Sequence, residues 1–130
     1  MAFSDSYFKD IVAVWIPMYE QEHDPHMSEL LLRNILSRTY YTMFLHCREV
    51  HANDRLPFNI YTIGSHERII ELIEKDSVQT LLFNYKAVRK RADYELPLLQ
   101  LPILRLEKRP INLDGIETLK KHLSTVLNYT

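Results

Sequence analysis

Two segments of the chain set cationic and phenolic side chains into a helical apolar pattern. They are RNILSRTYYTMF, residues 33–44, and RKRADY, residues 89–94. Guanidinium and phenol groups are costly to bury without partners, so each of these groups needs a polar neighbour. Arg89 and Asp93 lie one helical turn apart, within reach of an ion pair, and Lys90 points to the neighbouring face. The two polar stripes suggest a shared site.

The first segment carries its polar edge beside an apolar stripe. The members of this edge recur at steps of three and four residues and are Arg33, Ser37, Tyr41, Phe44 and Arg48. A purely structural interpretation is also open. In that interpretation Asp93 only orients Arg89, and the tyrosines are core rings whose hydroxyl groups are satisfied.

Helices must position these side chains. The chain has only two glycines and long stretches of 3.6-residue periodicity, which predicts an all-α fold. Pro17 should kink or end the first helix near Ile16, and the Pro97 to Pro102 region should end the fourth. The five predicted helices run from about Ser4 to Glu20, from Ser28 to about Ala52, from a cap at Ser65, from Ser77 onward, and from about Leu113 to Asn128.

The long second helix and one awkward segment complete the predicted organisation. The helix has an apolar stripe formed by Leu32, Leu36, Tyr40, Met43, Cys47 and Val50. Cys47 falls within this stripe and is interpreted as a core thiol. Residues Leu96 to Asn112 contain three prolines and an apolar run. We expect them to form an extended segment that packs on the helices or on a partner.

Composition limits the functional classes. A chain of 130 residues with 46% hydrophobic and 25% charged residues fits one domain, residues 1–130. Its net charge of -1 gives no global attraction to nucleic acid, so a polyanion would need a local cationic cluster. No apolar run reaches the roughly 18 residues that span a bilayer, and the N-terminus lacks the pattern of a secretory signal. A cytoplasmic protein without membrane association is expected.

The histidines and glycines give little sign of a cofactor. His46 and His51 are five residues apart, which aligns them poorly for one metal ion, and no metal site or other cofactor is expected. Gly64 and Gly115 are the only glycines. A glycine-rich loop that holds nucleotide phosphates is therefore excluded.

Three motifs, in order, resemble the HEPN superfamily, the higher-eukaryote and prokaryote nucleotide-binding domain. The run Ser37–Phe44 is similar to its R-x-Y-Y-x-x-F helix. Gly64-Ser65-His66 resembles the Thr/Ser-His that opens a short middle helix, and residues 89–94 resemble the R-x-x-A-D-Y signature of small, free-standing members. The resemblance covers about Ser28 to Asn128.

This resemblance implies an antiparallel helical bundle that homodimerises, with the polar stripes of two protomers facing each other across a cleft. Many members are metal-independent ribonucleases of toxin–antitoxin or antiviral systems. In them an Arg stabilises charge on the phosphate and a His helps the ribose 2′-hydroxyl to attack. The resemblance assigns catalytic roles to Arg89, Asp93, Tyr94 and His66, and contacts with RNA or nucleotide to Arg38, Tyr41, Lys90 and Arg91.

The sequence departs from the nuclease pattern at one position. Tyr94 stands where the family has its catalytic His, and no histidine occurs from Gln79 to Lys120. Tyrosine is a poor base at neutral pH, although its hydroxyl can orient a phosphate. His66 could supply the imidazole from the short helix, or it could be a solvated or capping residue.

Three functions stay open on the sequence. The first is an HEPN-like RNA-targeting protein, with RNA in a dimeric cleft and an endoribonuclease activity as one form of it. The second is a non-catalytic dimeric module that binds a partner protein such as an antitoxin or defence component, which the apolar run after Leu96 favours. The third is a nucleotide-binding partner of a small nucleotidyltransferase, with Tyr94 as the acceptor hydroxyl.

Overall fold

Five helical segments form an all-α bundle in which the site residues lie on three helices. The computed structural model describes residues 3–62, 64–94, 103–104, 112–113 and 115–130. The helices are α1 (Phe3–Asp10), a π-helical turn (Ile11–Trp15), α2 (Ile16–Gln21), α3 (Pro25–Val50), α4 (Ser65–Leu72), α5 (Asp76–Tyr94) and α6 (Ile116–Leu127). Elements α1, the π turn and α2 follow one another without a break and make up the first segment.

The first segment shows how a helix accommodates a proline. Pro17 has no backbone N–H, and its ring crowds the carbonyl group four residues earlier. The helix widens just before it, and the Ile16 N–H donates to the Ile11 carbonyl across a π turn. The expected local distortion near Ile16 is confirmed, but the helix does not end there and continues to Gln21.

Helix α3 is the centre of the bundle and packs chiefly against α5. It begins at Pro25, earlier than the predicted Ser28, because proline is well suited to the first turn of a helix. Its predicted apolar stripe is buried from Leu32 to Cys47, and Val50 is half-buried. Burial raises the pKa of the Cys47 thiol to about 12, so this cysteine is an inert core residue.

The start of α4 corrects the prediction that Ser65 caps this helix. Gly64 is the capping residue, with a φ of 86°, a left-handed conformation that glycine adopts without strain. Ser65 is instead the first helical residue and is buried, and its hydroxyl donates to the Ile60 carbonyl at 3.0 Å. The serine therefore fastens the preceding loop to the helix.

An arginine of α3 holds the end of α5. The Arg33 guanidinium donates to the carbonyls of Arg91 and Ala92, at 3.1 and 2.8 Å, and forms an ion pair with Glu29 at 2.8 Å. These carbonyls belong to the last turn of α5, where a helix lacks internal donors and carries partial negative charge. Arg33, expected on the polar edge of α3, thus joins α3 to α5.

The chain after α5 contributes one short strand pair. Ile103–Leu104 pairs antiparallel with Asn112–Leu113, and the remainder of the predicted extended segment lies outside the described residues. Helix α6 begins at Ile116, later than the predicted Leu113. No helix in the described part of the chain has the length and apolar character needed to cross a membrane.

Candidate functional site

The packing of α3 against α5 places Arg89 beside Tyr41. The Arg89 Nη2 donates to the Tyr41 hydroxyl at 2.7 Å, and the guanidinium carbon lies 5.1 Å from the centre of the Tyr41 ring. The Arg89 Nε is 3.2 Å from Asp93 Oδ2, so the predicted ion pair on one face of α5 is confirmed. This Nε makes no hydrogen bond in the described residues, and the contact is therefore one of charge.

His66 lies on the first turn of α4 and contacts three aromatic residues of α3. Its Nδ1 is 2.9 Å from the Tyr40 hydroxyl. The imidazole stacks on Phe44, with ring centres 3.8 Å apart and planes inclined by 12°, and it meets Tyr41 edge-on at 6.4 Å. Because Tyr41 also contacts Arg89, the two sequence motifs and His66 form one continuous group of side chains.

The surroundings of His66 favour its neutral form. Partial burial lowers the pKa of the imidazole, and the nearby charges of Lys86, Arg89 and Arg48 lower it further. Lys86 itself forms an ion pair with Glu67 at 3.0 Å. This contact, first through its hydrogen bond and then through its charge, lowers the pKa of the exposed Glu67 carboxyl. A neutral, half-buried imidazole thus lies among three cations.

Tyr40 determines which imidazole nitrogen carries the proton. The phenol is fully buried, and desolvation raises its pKa well above the ordinary value, so it keeps its proton. Within the described residues the Tyr40 hydroxyl contacts His66 Nδ1. The hydroxyl donates its hydrogen to that nitrogen, so the buried O–H group has a hydrogen-bond acceptor. We infer that the neutral ring carries its own proton on Nε2. Nε2 has no hydrogen-bond partner in the described part of the chain.

Arg48 and Tyr61 belong to the same neighbourhood. The Arg48 guanidinium carbon lies 4.7 Å from the centre of the Tyr61 ring and 5.8 Å from that of Phe44. We use the term His66 cluster for the following set of residues: Tyr40, Tyr41, Phe44, Arg48, Tyr61, His66, Lys86 and Arg89. The helical spacing of Phe44 and Arg48 placed both on the polar edge of α3, but Tyr61 comes from a loop and has no periodic signal.

The other candidate residues have different surroundings. Arg38 lies over the Trp15 ring at 4.9 Å and lines a small hollow of about 230 Å³ that also includes Tyr41. Lys90 is exposed, and its charge lowers the pKa of Glu67. Arg91 is half-buried, and its carbonyl accepts a hydrogen bond from α3.

Tyr94 ends α5 and is 73% exposed. It lines an open groove of about 690 Å³ between α5 and the first half of α3, together with Asp93 and Leu30. Asp93 therefore links the two regions, since it pairs with Arg89 and also borders this groove. The structure brings Arg89, Asp93, Tyr41 and His66 together, and places Tyr94 beside Asp93 on the groove side.

The chemistry available to the His66 cluster is the binding of an anion. Guanidinium groups and an ammonium group offer charge-assisted hydrogen bonds, the Nε2–H of His66 is a further donor, and the rings provide stacking surfaces. No group of three or more His, Cys, Asp or Glu residues that could hold a metal ion occurs in the described part of the chain. No protein-family model, curated protein or solved structure matches this chain.

Proposed function

We propose that this chain is an HEPN-like RNA-targeting protein whose His66 cluster binds the phosphodiester backbone of single-stranded RNA. The observation that supports this function best is the neutral imidazole of His66 among Lys86, Arg89 and Arg48, stacked on the buried Phe44 ring and beside the exposed Tyr41 ring. A local cationic cluster is what a chain of net charge -1 needs in order to hold a polyanion. Aromatic faces add affinity for unpaired bases.

In this proposal a phosphate oxygen accepts hydrogen bonds from Arg89 and from the Nε2–H of His66. Asp93 holds the Arg89 guanidinium from one side and the Tyr41 hydroxyl holds it from the other. Such preorganisation reduces the entropy lost on binding. Lys90 and Arg91, which adjoin Arg89 in the sequence, add positive charge for the rest of the strand.

The reaction that we propose at this site is metal-independent cleavage of the strand. The ribose 2′-oxygen bonds to phosphorus, the bond from phosphorus to the 5′-oxygen breaks, and a 2′,3′-cyclic phosphate and a 5′-hydroxyl result. His66 Nε2 accepts the 2′-proton after the ring proton has moved to Nδ1, where the Tyr40 oxygen can accept a hydrogen bond. The 5′-oxygen takes its proton from water, and the hydroxide left behind takes the added proton from His66, which returns the imidazole to its neutral form. Arg89 stabilises the charge that develops on the phosphate.

A homodimer is part of the proposal, because the resemblance implies that two polar stripes face each other across a two-fold axis. A second candidate function is a non-catalytic module that binds another protein. One observation favours it: Arg89 already makes a hydrogen bond to Tyr41 and an ion pair with Asp93 without a ligand. Light scattering of the purified chain measures whether the dimer forms without a partner.

The test is cleavage of labelled single-stranded RNA in EDTA by the wild type and by Arg89→Ala, each purified alone and checked for contaminating nuclease. Arg68→Ala is the matched control, because this exposed arginine of α4 lies over Phe58, at 5.2 Å, and is not among the cations that lower the pKa of His66. We expect cleavage by the wild type and the control, and a loss of about a hundredfold in Arg89→Ala.

If the wild type binds RNA but none of the three proteins cleaves it, the function is RNA recognition without cleavage. Neither binding nor cleavage at low salt would overturn the proposal and favour the protein-binding module.

A further inference from the structure

Four side chains form a continuous stack that runs outward from the imidazole. His66 stacks on Phe44 at 3.8 Å, Arg48 lies 5.8 Å from Phe44, and Tyr61 lies 4.7 Å from Arg48. The outer member, Tyr61, is 63% exposed. The stack therefore has a half-buried imidazole at one end and a largely open phenol ring at the other.

The loop that carries Tyr61 is held by local hydrogen bonds. The Tyr61 backbone N–H donates to Asn59 Oδ1 at 2.9 Å, and the Thr62 hydroxyl donates to the Asn59 carbonyl at 2.7 Å. These contacts are those of an asparagine-stabilised turn. A large aromatic ring is thus kept in solvent on an ordered turn, and the contact with Arg48 covers one of its faces.

Arg48 keeps its charge available for a ligand. No carboxylate lies within ion-pair distance of it among the described residues, and its enclosed Nε lacks a hydrogen-bond partner there. The arginine and the ring that it supports therefore have an unmet capacity for an anionic, aromatic ligand.

We propose that Tyr61 and Arg48 form a platform that stacks one unpaired base of an RNA strand, next to the phosphate held by His66 and Arg89. This assignment rests on the proposed function and deepens it, because it names the substrate as a strand with unstacked bases. An open tyrosine face stacks on any base, whereas the bases of a duplex have no free face. Arg48 holds the ring from below and contacts the adjoining phosphate.

A second arginine–aromatic pair close by provides a matched control. Arg68 of α4 lies over Phe58 at 5.2 Å, and Phe58 is on the same loop as Tyr61. Phe58 is half-buried and packs against the core, so it offers no open face to a base. Replacement of Arg68 removes the same charge as replacement of Arg48 without affecting the platform.

The experiment measures fluorescence anisotropy at low salt with two labelled strands. One is a short 2′-O-methyl RNA, which cannot be cleaved, and the other is the same backbone with abasic sugars. For the normal strand, we expect Tyr61→Ala to weaken binding about tenfold and Tyr61→Phe to bind within about twofold of wild type. Arg48→Gln should weaken it more than Arg68→Gln. The abasic strand should bind wild type and Tyr61→Ala equally.

Two results would overturn the platform. If Tyr61→Ala binds the normal strand as tightly as wild type while Arg89→Ala loses binding, the platform is wrong and the proposed function stands. If the wild type binds neither strand, both are wrong. Tyr61 is exposed and its replacement leaves the buried core intact, and circular dichroism of each variant verifies the fold.

Discussion

Two tyrosine–histidine pairs in this molecule have the same type of hydrogen bond but differ in their surroundings. The Tyr40 hydroxyl is 2.9 Å from His66 Nδ1, and the Tyr85 hydroxyl is 2.9 Å from His122 Nδ1. Both phenols are fully buried, and burial raises the pKa of each well above its ordinary value. As far as this hydrogen bond is concerned, the two pairs are equivalent.

The two phenols differ in the charges that act on them. Arg89 opposes the effect of burial on the Tyr40 pKa, whereas burial alone accounts for the raised pKa of Tyr85. His66 stacks face-to-face on Phe44 among cations, while His122 meets Tyr85 edge-on with planes inclined by 80°. The comparison teaches that a tyrosine–histidine hydrogen bond is a general means of satisfying a half-buried imidazole. The cations and the stacked Phe44 ring around His66 are the observations that support the proposed site.

Replacement of the two histidines should separate the pairs most strongly. We expect His66→Gln to lose RNA cleavage by about a hundredfold or more, because general acid–base groups contribute on this scale. His122→Gln should cleave at close to the wild-type rate. Initial rates with labelled single-stranded RNA in EDTA provide the measurement.

Glutamine retains an amide that can meet the tyrosine hydroxyl, so both variants should fold. Equal losses of cleavage in the two variants would show that the surroundings of His66 have no special role.

Removal of either tyrosine hydroxyl should lower the stability of the protein by a similar amount. Only removal of the Tyr40 hydroxyl should affect RNA cleavage. Tyr40→Phe and Tyr85→Phe should each lower the free energy of unfolding by about 1 kcal/mol, because each leaves an imidazole Nδ1 without its donor. Urea denaturation measures this loss. Only Tyr40→Phe should lower the rate of cleavage, because it removes the oxygen that accepts a hydrogen bond from the ring proton on Nδ1 when Nε2 serves as the base.

Nitrogen chemical shifts of the imidazole rings report the tautomer directly. If the wild-type protein already carries the His66 proton on Nδ1, the assigned hydrogen-bond direction is wrong.

The smallest expected effect is on the titration of His66. Burial and cations lower its pKa, so the folded protein binds fewer protons than the unfolded chain below the ordinary pKa of about 6.5. The free energy of unfolding should therefore fall as pH decreases through this value, and His66→Gln should reduce the fall. Lys86→Met should raise the pKa of His66, because it removes one of the charges that lower it.

Proton NMR of the imidazole between acid and neutral pH measures these shifts. A His66 pKa unchanged by Lys86→Met would contradict the electrostatic account of the site.

The sequence predicted the fold well where periodicity carried the information. The apolar stripe of α3 and the spacing of α5 identified both helices to within a few residues, since burial on one side imposes a 3.6-residue repeat. Pro17 was a correct sign of distortion but not of an end, because a π turn absorbs the crowded carbonyl. The predicted cap of α4 was wrong by one residue. Gly64 is the cap, in a left-handed conformation that glycine adopts without strain and serine does not.

The sequence predicted contacts within one helix of the candidate site but not the contacts between helices. Spacing along one helix indicated the ion pair of Arg89 with Asp93, a local contact that needs no knowledge of the fold. The contacts of His66 with Tyr40 and Phe44 cross between helices, and their distances depend on how α4 packs on α3. Periodicity gives the face of a residue but not the residue of the next helix that it meets.

The most direct test of the central claim is an NMR titration of the wild-type protein with a short 2′-O-methyl RNA in EDTA, in which the imidazole signals of His66 and His122 are followed together. The account predicts that the His66 signals shift with saturation as RNA is added and that those of His122 stay in place. Signals of both histidines that stay unmoved, or that move by equal amounts, would contradict it.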